Sequence, residues 1–152
     1  MFESLNNKLV SWAWSLKPTK HTFTVDRKRW LRGEDLSLSK LKRAKDGKLD
    51  ALGFYLTSIG LTEEEISDVG NPGYLPKDLL IKHNLLRSWL FLKPEEMLGS
   101  LIPSDECMDI IRFNDKKEML QDNQTISIKD SYREQKLKSA FRKQGIKIRF
   151  VG

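Results

Sequence analysis

Asp105, Asp109, Asp115 and Lys117 are the residues whose types and spacing come nearest to a catalytic set. Paired carboxylates hold a hard divalent cation, the cation lowers the pKa of an attacking water, and a lysine orients that water or offsets charge on a phosphodiester. The same residues equally suit the solvated end of a strand and the turn after it. A divalent-metal-dependent nuclease is therefore an alternative reading, and no residue is assigned as catalytic, metal-binding or cofactor-binding.

Nucleophilic chemistry has less support. Cys107 is the only cysteine, so the chain has no internal disulfide and no paired-thiol metal or redox site, which suits a reducing, intracellular setting. Asp105, Glu106 and Asp109 surround it in sequence and disfavour a thiolate, so burial as a neutral thiol is expected. His21 and His83 belong to no zinc-binding helix motif, and His83 reads as a partly buried helical side chain. Ser58 and Ser100 sit in no nucleophile elbow, and Gly70 and Gly73 accompany neither a dinucleotide fingerprint nor a phosphate-loop lysine.

Charge gives the stronger signal. Residues 17–50 carry 11 basic against 5 acidic groups and residues 123–152 carry 8 against 2, whereas residues 51–122 carry 7 against 13. Two basic blocks therefore flank an acidic middle, and such asymmetry governs encounter with a partner more than it governs a fold. In the first block Arg27, Lys28, Arg29 and Arg32 surround Trp30; in the second stand Lys136, Arg142, Lys143, Lys147 and Arg149. Guanidinium and ammonium groups suit phosphates and an indole suits a base, although Trp30 can equally anchor the core with its basic neighbours in water. If folding joins the blocks, a phosphate backbone can bridge them. If it separates them, an anionic protein or the acidic middle becomes the better counterpart.

These groups must be positioned by recognisable elements. Phe2, Leu5, Leu9, Trp12 and Leu16 predict an amphipathic opening helix, ended near Pro18. Thr22–Val25 predicts a brief strand, Asp46-Gly47 a turn, and Leu49, Leu52, Tyr55, Leu56 and Ile59 the buried stripe of a helix closed by Gly60. Thr62 and Glu65 have capping-box spacing at the start of a short helix. Residues 70–76 predict a shaped loop, and Leu79, Leu80, His83, Leu86 and Leu90 a helical face running to Trp89. Met108, Ile110, Ile111 and Phe113 favour a strand, and Asn114-Asp115 a turn. Ser131 and Glu134 predict a capping box on a helix that ends at Gly145, followed by a strand in which Ile146, Ile148 and Phe150 alternate with Lys147 and Arg149.

Three blocks resemble a group of small, uncharacterised phage and prophage proteins: Arg29-Trp30-Leu31-Arg32-Gly33-Glu34, Asp46 to Phe54 ending in Leu-Gly-Phe, and Gly145-Ile146-Lys147-Ile148-Arg149-Phe150-Val151. In that group two cysteines often precede Leu-Gly-Phe; here Asp50 and Ala51 occupy those positions. The Asn114-Asp115 and Tyr132-Arg133-Glu134 segments are also similar. The resemblance implies phage origin and a bacterial host setting, without a reaction or a set of catalytic residues.

At 152 residues and 39% hydrophobic composition, the chain has the size and core-forming content of one domain spanning 1–152. The expected fold is α+β, with several helices and a small antiparallel sheet contributed by residues 107–113 and 146–151; an all-helical core with a peripheral hairpin is the alternative. No apolar run is long enough to span a bilayer, and the amino terminus lacks a secretory pattern. The sequence thus points to a phage accessory or host-modulating protein, cytoplasmic in an infected or prophage-carrying bacterial cell. Its expected action is non-enzymatic binding of an anionic host protein or nucleic acid; a DNA- or RNA-binding regulator is the other binding alternative. No cofactor, transmembrane association or particular oligomeric state is implied.

Overall fold

The computed structural model describes residues 20–33, 40–92 and 101–152. The expected opening helix lies outside them. β1 (His21–Asp26) buries Phe23 and Val25 and exposes Thr22 and Thr24, the two-residue period of a strand covered on one face. It pairs in parallel with β4 (Ile146–Val151), from His21 opposite Ile146 to Asp26 opposite Val151. Ile146 and Ile148 continue the covered face, and Lys147 and Arg149 point outward. Parallel strands cannot be joined by a tight turn. Here the connection is nearly the whole chain between them.

Between these strands come α1 (Ala51–Ser58), α2 (Lys77–Lys82), α3 (Asp105–Asp115), the hairpin β2 (Glu118–Gln121) with β3 (Gln124–Ser127), and α4 (Asp130–Lys143). The mixed α+β class is as expected, but its sheet differs in two ways. Residues 107–113 are helical rather than extended, and the partner of β4 is β1, in parallel. β2 and β3 pair antiparallel, and their turn places Asp122 and Asn123 at φ 51° and 61°, the left-handed pair favoured in two-residue hairpins.

The cause of the first difference is local. The Ser104 hydroxyl accepts from the Cys107 amide at 3.0 Å, and Asp105 and Glu106 occupy the first turn of α3, where carboxylates complement the helix dipole. Cys107, Ile110 and Asn114 then fall on one buried face. Capping and helical period outweigh the strand preference of Ile110 and Ile111.

Other helix ends also depart from the expectation. Asp50 caps α1 by accepting from the Gly53 amide at 2.7 Å. Thr62 and Glu65 do exchange capping-box hydrogen bonds, at 2.8 and 3.2 Å, but close a turn rather than a helix. α2 ends at Lys82, and Asn84 at φ 57° breaks the face predicted to reach Trp89. α4 starts at Asp130 with no side-chain cap, so the Ser131–Glu134 box does not form; Glu134 is bonded to Arg27 instead.

The core gathers on the covered face of the sheet. The Phe141 ring lies 5.0 Å from Phe23 and 5.9 Å from both Tyr55 and Trp89, at edge or tilted angles that favour aromatic contact. α4 and α1 are thereby held against β4 and β1. No helix among the described residues is long and apolar enough to cross a membrane.

Candidate anion-binding surface

The first basic block is tied into the fold. Arg27 Nε donates to Glu134 Oε1 at 2.8 Å. Arg32 grips Asp130 with two hydrogen bonds, of 2.9 and 2.7 Å, and donates to the carbonyls of Arg27 and Trp30 at 3.2 and 3.1 Å. Its guanidinium also lies 4.5 Å over the indole of Trp30, a cation–π contact. Arg29 reaches Glu63 and the carbonyl of Gly47. The hydrogen bond from Arg32 holds the Asp130 carboxyl below the usual aspartate range, and the bond from Arg29 does the same for Glu63.

Trp30 is only 2% exposed and donates through Nε1 to Asn114. Its assignment to a partner-contact surface is corrected: an indole enclosed in the core cannot stack on a base. Of the first block, Lys28 is exposed beyond the end of β1, and Arg29 is exposed but paired.

The two blocks nevertheless converge. The Arg27–Glu134 and Arg32–Asp130 pairs bind the first block to α4, and the strand pair brings β1 beside β4. The second block then divides among different surroundings. Lys136 and Lys143 line a cavity of about 280 Å³ between α3 and α4, where Asp105, Glu106 and Asp109 form the opposing side. Arg142 is half-buried near the end of α4. Lys147 and Arg149 stand on the outer face of β4, in register with Thr22 and Thr24 of β1, and all four are exposed. Neither Lys147 nor Arg149 is ion-paired among the described residues.

The carboxylates considered for metal chemistry are set along α3 rather than around a strand and turn. Asp109 lies 3.4 Å from Arg112, and Asp115 at the helix end accepts from Asn114 Nδ2 at 2.9 Å. Lys117 follows the helix and is exposed. Among the described residues, no three His, Cys, Asp or Glu side chains are grouped as a metal ion would require. Cys107 is buried, and burial pushes its thiol up to about 12, with Asp50 adding to the shift.

Two structural residues were missed by sequence reasoning. Asn114 reads as a turn former but is a buried crosslink. Arg133 carries no role in the sequence reading beyond the Tyr132-Arg133-Glu134 segment, yet it is 3% exposed and donates through Nη1 to the carbonyls of Phe113 and Asn114 at 2.7 and 2.8 Å. The available signal is its spacing: Arg133, Leu137 and Phe141 recur every four residues on the buried face of α4.

Comparison with known proteins finds no matching protein family, no matching curated protein and no matching solved structure.

Proposed function

We propose that this protein binds nucleic acid through the phosphate backbone, using the outer face of the β1–β4 sheet. The observation that carries this reading is the two-by-two array of Thr22 opposite Lys147 and Thr24 opposite Arg149. Hydroxyl, ammonium and guanidinium groups all donate hydrogen bonds, and alternate residues of a strand repeat them along one direction. Phosphate oxygens are acceptors arranged along a chain, so the two chemistries match. The net charge of +6 favours the encounter.

The same face argues for nucleic acid over an anionic protein. Stable protein interfaces surround an apolar centre with a polar rim. On this sheet face Val151 is the exposed apolar residue, and it lies at the end of the strand. With Trp30 in the core, the contact is to backbone rather than bases, so recognition is weakly dependent on sequence. In the setting implied by the phage-protein resemblance, such a protein serves as an accessory factor acting on nucleic acid in a bacterial host.

The test is binding of single- and double-stranded DNA and RNA over a salt series, comparing wild type with Lys147→Glu/Arg149→Glu. Each neutralised phosphate contributes roughly 0.7–0.9 to the slope of log affinity against log salt. The double variant should therefore lose affinity and lower the slope by about 2 on double-stranded DNA if both cations contact phosphates. Unchanged binding would remove the sheet face as the site. A protein captured equally well after nuclease treatment, and lost in the same variant, would replace nucleic acid with an anionic protein.

A further inference from the structure

A second cationic feature lies away from the sheet face, where the C-terminal end of α3 meets the first turns of α4. A cavity of about 110 Å³ is lined there by Arg112, Lys116, Tyr132, Arg133 and Lys136, with Phe113 between the two helices. No carboxylate is among its lining residues. Arg112, Lys116 and Lys136 are exposed around it, and cations lining one small volume raise its positive potential and favour an anion there. Their protein partners are few. Arg112 has only the 3.4 Å contact to Asp109, and Lys136 lies 5.4 Å from the ring of Tyr132.

Arg133 forms the inner wall of this cavity, against the end of α3. It is 97% removed from solvent, and its Nη1 group is satisfied by two main-chain carbonyls, but its Nε has no hydrogen-bond partner. The nearby carboxylate of Asp130 is gripped by Arg32 through both oxygens. Burying a charged group with an unmet donor is costly, and such a group in a native fold calls for an explanation. Complementing the C-terminal dipole of α3 accounts for the two carbonyl bonds of Arg133. The Nε is enclosed by protein and does not face the cavity, so Arg133 acts on that volume through its charge.

We infer that this cavity binds a phosphoryl group. A tetrahedral phosphate presents acceptor oxygens in several directions, whereas the cavity walls present donors: guanidinium, ammonium and the Tyr132 hydroxyl. Its charge matches a site with several cations and no acid. The volume is well below that of an ordinary drug-sized pocket, so it holds the phosphoryl group itself. Met119 and Ile128 form an apolar wall on the hairpin side. The group can arrive as free phosphate or as a phosphomonoester, and both present the same oxygens.

The inference is independent of the sheet-face reading, and amide NMR titration of the full chain separates the two. Inorganic phosphate, adenosine monophosphate and adenosine are each added at constant ionic strength to wild type, Lys116→Gln/Lys136→Gln and Lys147→Glu/Arg149→Glu. Wild type should show saturable phosphate-dependent shifts confined to the 112–136 region. The Lys116/Lys136 variant should lose at least tenfold in affinity while keeping its urea midpoint, and the sheet-face variant should bind phosphate as wild type does. Tighter binding of adenosine monophosphate than of phosphate identifies a phosphomonoester ligand; equal or weaker binding identifies free phosphate. Non-saturating shifts, equal affinity in the Lys116/Lys136 variant, loss in the sheet-face variant, or equal binding of adenosine would each overturn the assignment.

Discussion

The indole Nε1 of Trp30 donates to Oδ1 of Asn114 at 2.9 Å, joining two buried residues that are 84 positions apart. The same oxygen accepts from the Ala51 amide at 3.0 Å, and Nδ2 of Asn114 donates to the Leu31 carbonyl at 3.0 Å and to Asp115 Oδ1 at 2.9 Å. One carboxamide thus uses two donors and two acceptor positions to hold the first basic segment, the start of α1 and the end of α3 together. It also fixes the indole on which Arg32 rests.

Asn114→Ala should cost about 3–5 kcal/mol in urea unfolding, because it leaves the Trp30 indole, the Ala51 amide and the Leu31 carbonyl without partners at roughly 1–3 kcal/mol each, acting non-additively. Trp30→Phe should cost less, about 1–3 kcal/mol, since Asn114 keeps its backbone partners and the core keeps a ring. A larger loss from the Trp30 variant than from the Asn114 variant would show that packing, rather than the carboxamide, holds this junction.

The contrast between readable and unreadable features follows interaction range. β4 and the body of α4 were legible because Ile146, Ile148 and Lys147 alternate, and because Leu137 and Phe141 recur at helical spacing before Gly145 at φ 76°. The turn before Gly47, at φ 73°, was likewise local. By contrast, Asn114 and Arg133 take their roles from partners distant in sequence, and a residue type alone cannot reveal them. The start of α3 is legible in part: Ser104-Asp105-Glu106 is a helix-start signal that competes with the strand preference of Ile110 and Ile111. Convergence of the basic blocks was legible only as a condition, because charge counts do not show which arginines face Asp130 and Glu134.

Stability should decline on acidification through the range of the depressed carboxyls. Asp130 is held low chiefly by its hydrogen bond from Arg32, Glu63 by that from Arg29, and Asp68 by that from the Ala44 amide. A carboxyl with a lower pKa folded than unfolded contributes stability that is complete above the unfolded value and is lost as pH falls through the folded one. Unfolding free energy should therefore be level near neutrality and fall below roughly pH 4. Asp130→Asn should cost less than about 1 kcal/mol at pH 7, because this carboxylate is half exposed. The gap from wild type should close at low pH; a gap constant to strong acid would exclude Asp130 from the acid limb.

Cys107 should resist a disulfide-exchange reagent at pH 8. Its thiol is buried and pushed up to about 12, so the reactive thiolate is scarce and enclosed. Labelling should be complete in denaturant. In native buffer its rate should follow the population of unfolded molecules, rising in Asn114→Ala in proportion to the lost stability. Rapid labelling of the native wild type would show an opening of α3 that leaves the rest of the fold intact.

Gly53 should tolerate substitution worse than a mid-helix glycine normally does. Alanine is the better helix former by about 1 kcal/mol, but a Cβ at this position would lie 1.8 Å from the Leu41 carbonyl oxygen and 3.2 Å from Leu49 Cβ. The nearer obstacle is backbone, which cannot swing aside like a side-chain end. That same carbonyl accepts from the Asp50 amide at 3.3 Å, and Asp50 caps Gly53, so displacement would strain both docking and capping. Gly53→Ala should consequently lose about 3 kcal/mol or more. Gly47→Ala supplies the comparison: it has no contact within 4 Å but sits at φ 73°, so its cost should be about 1–2 kcal/mol from conformation alone. A greater loss at Gly53 assigns the Leu-Gly-Phe block to close packing of α1 against residue 41; equal losses would remove that steric explanation.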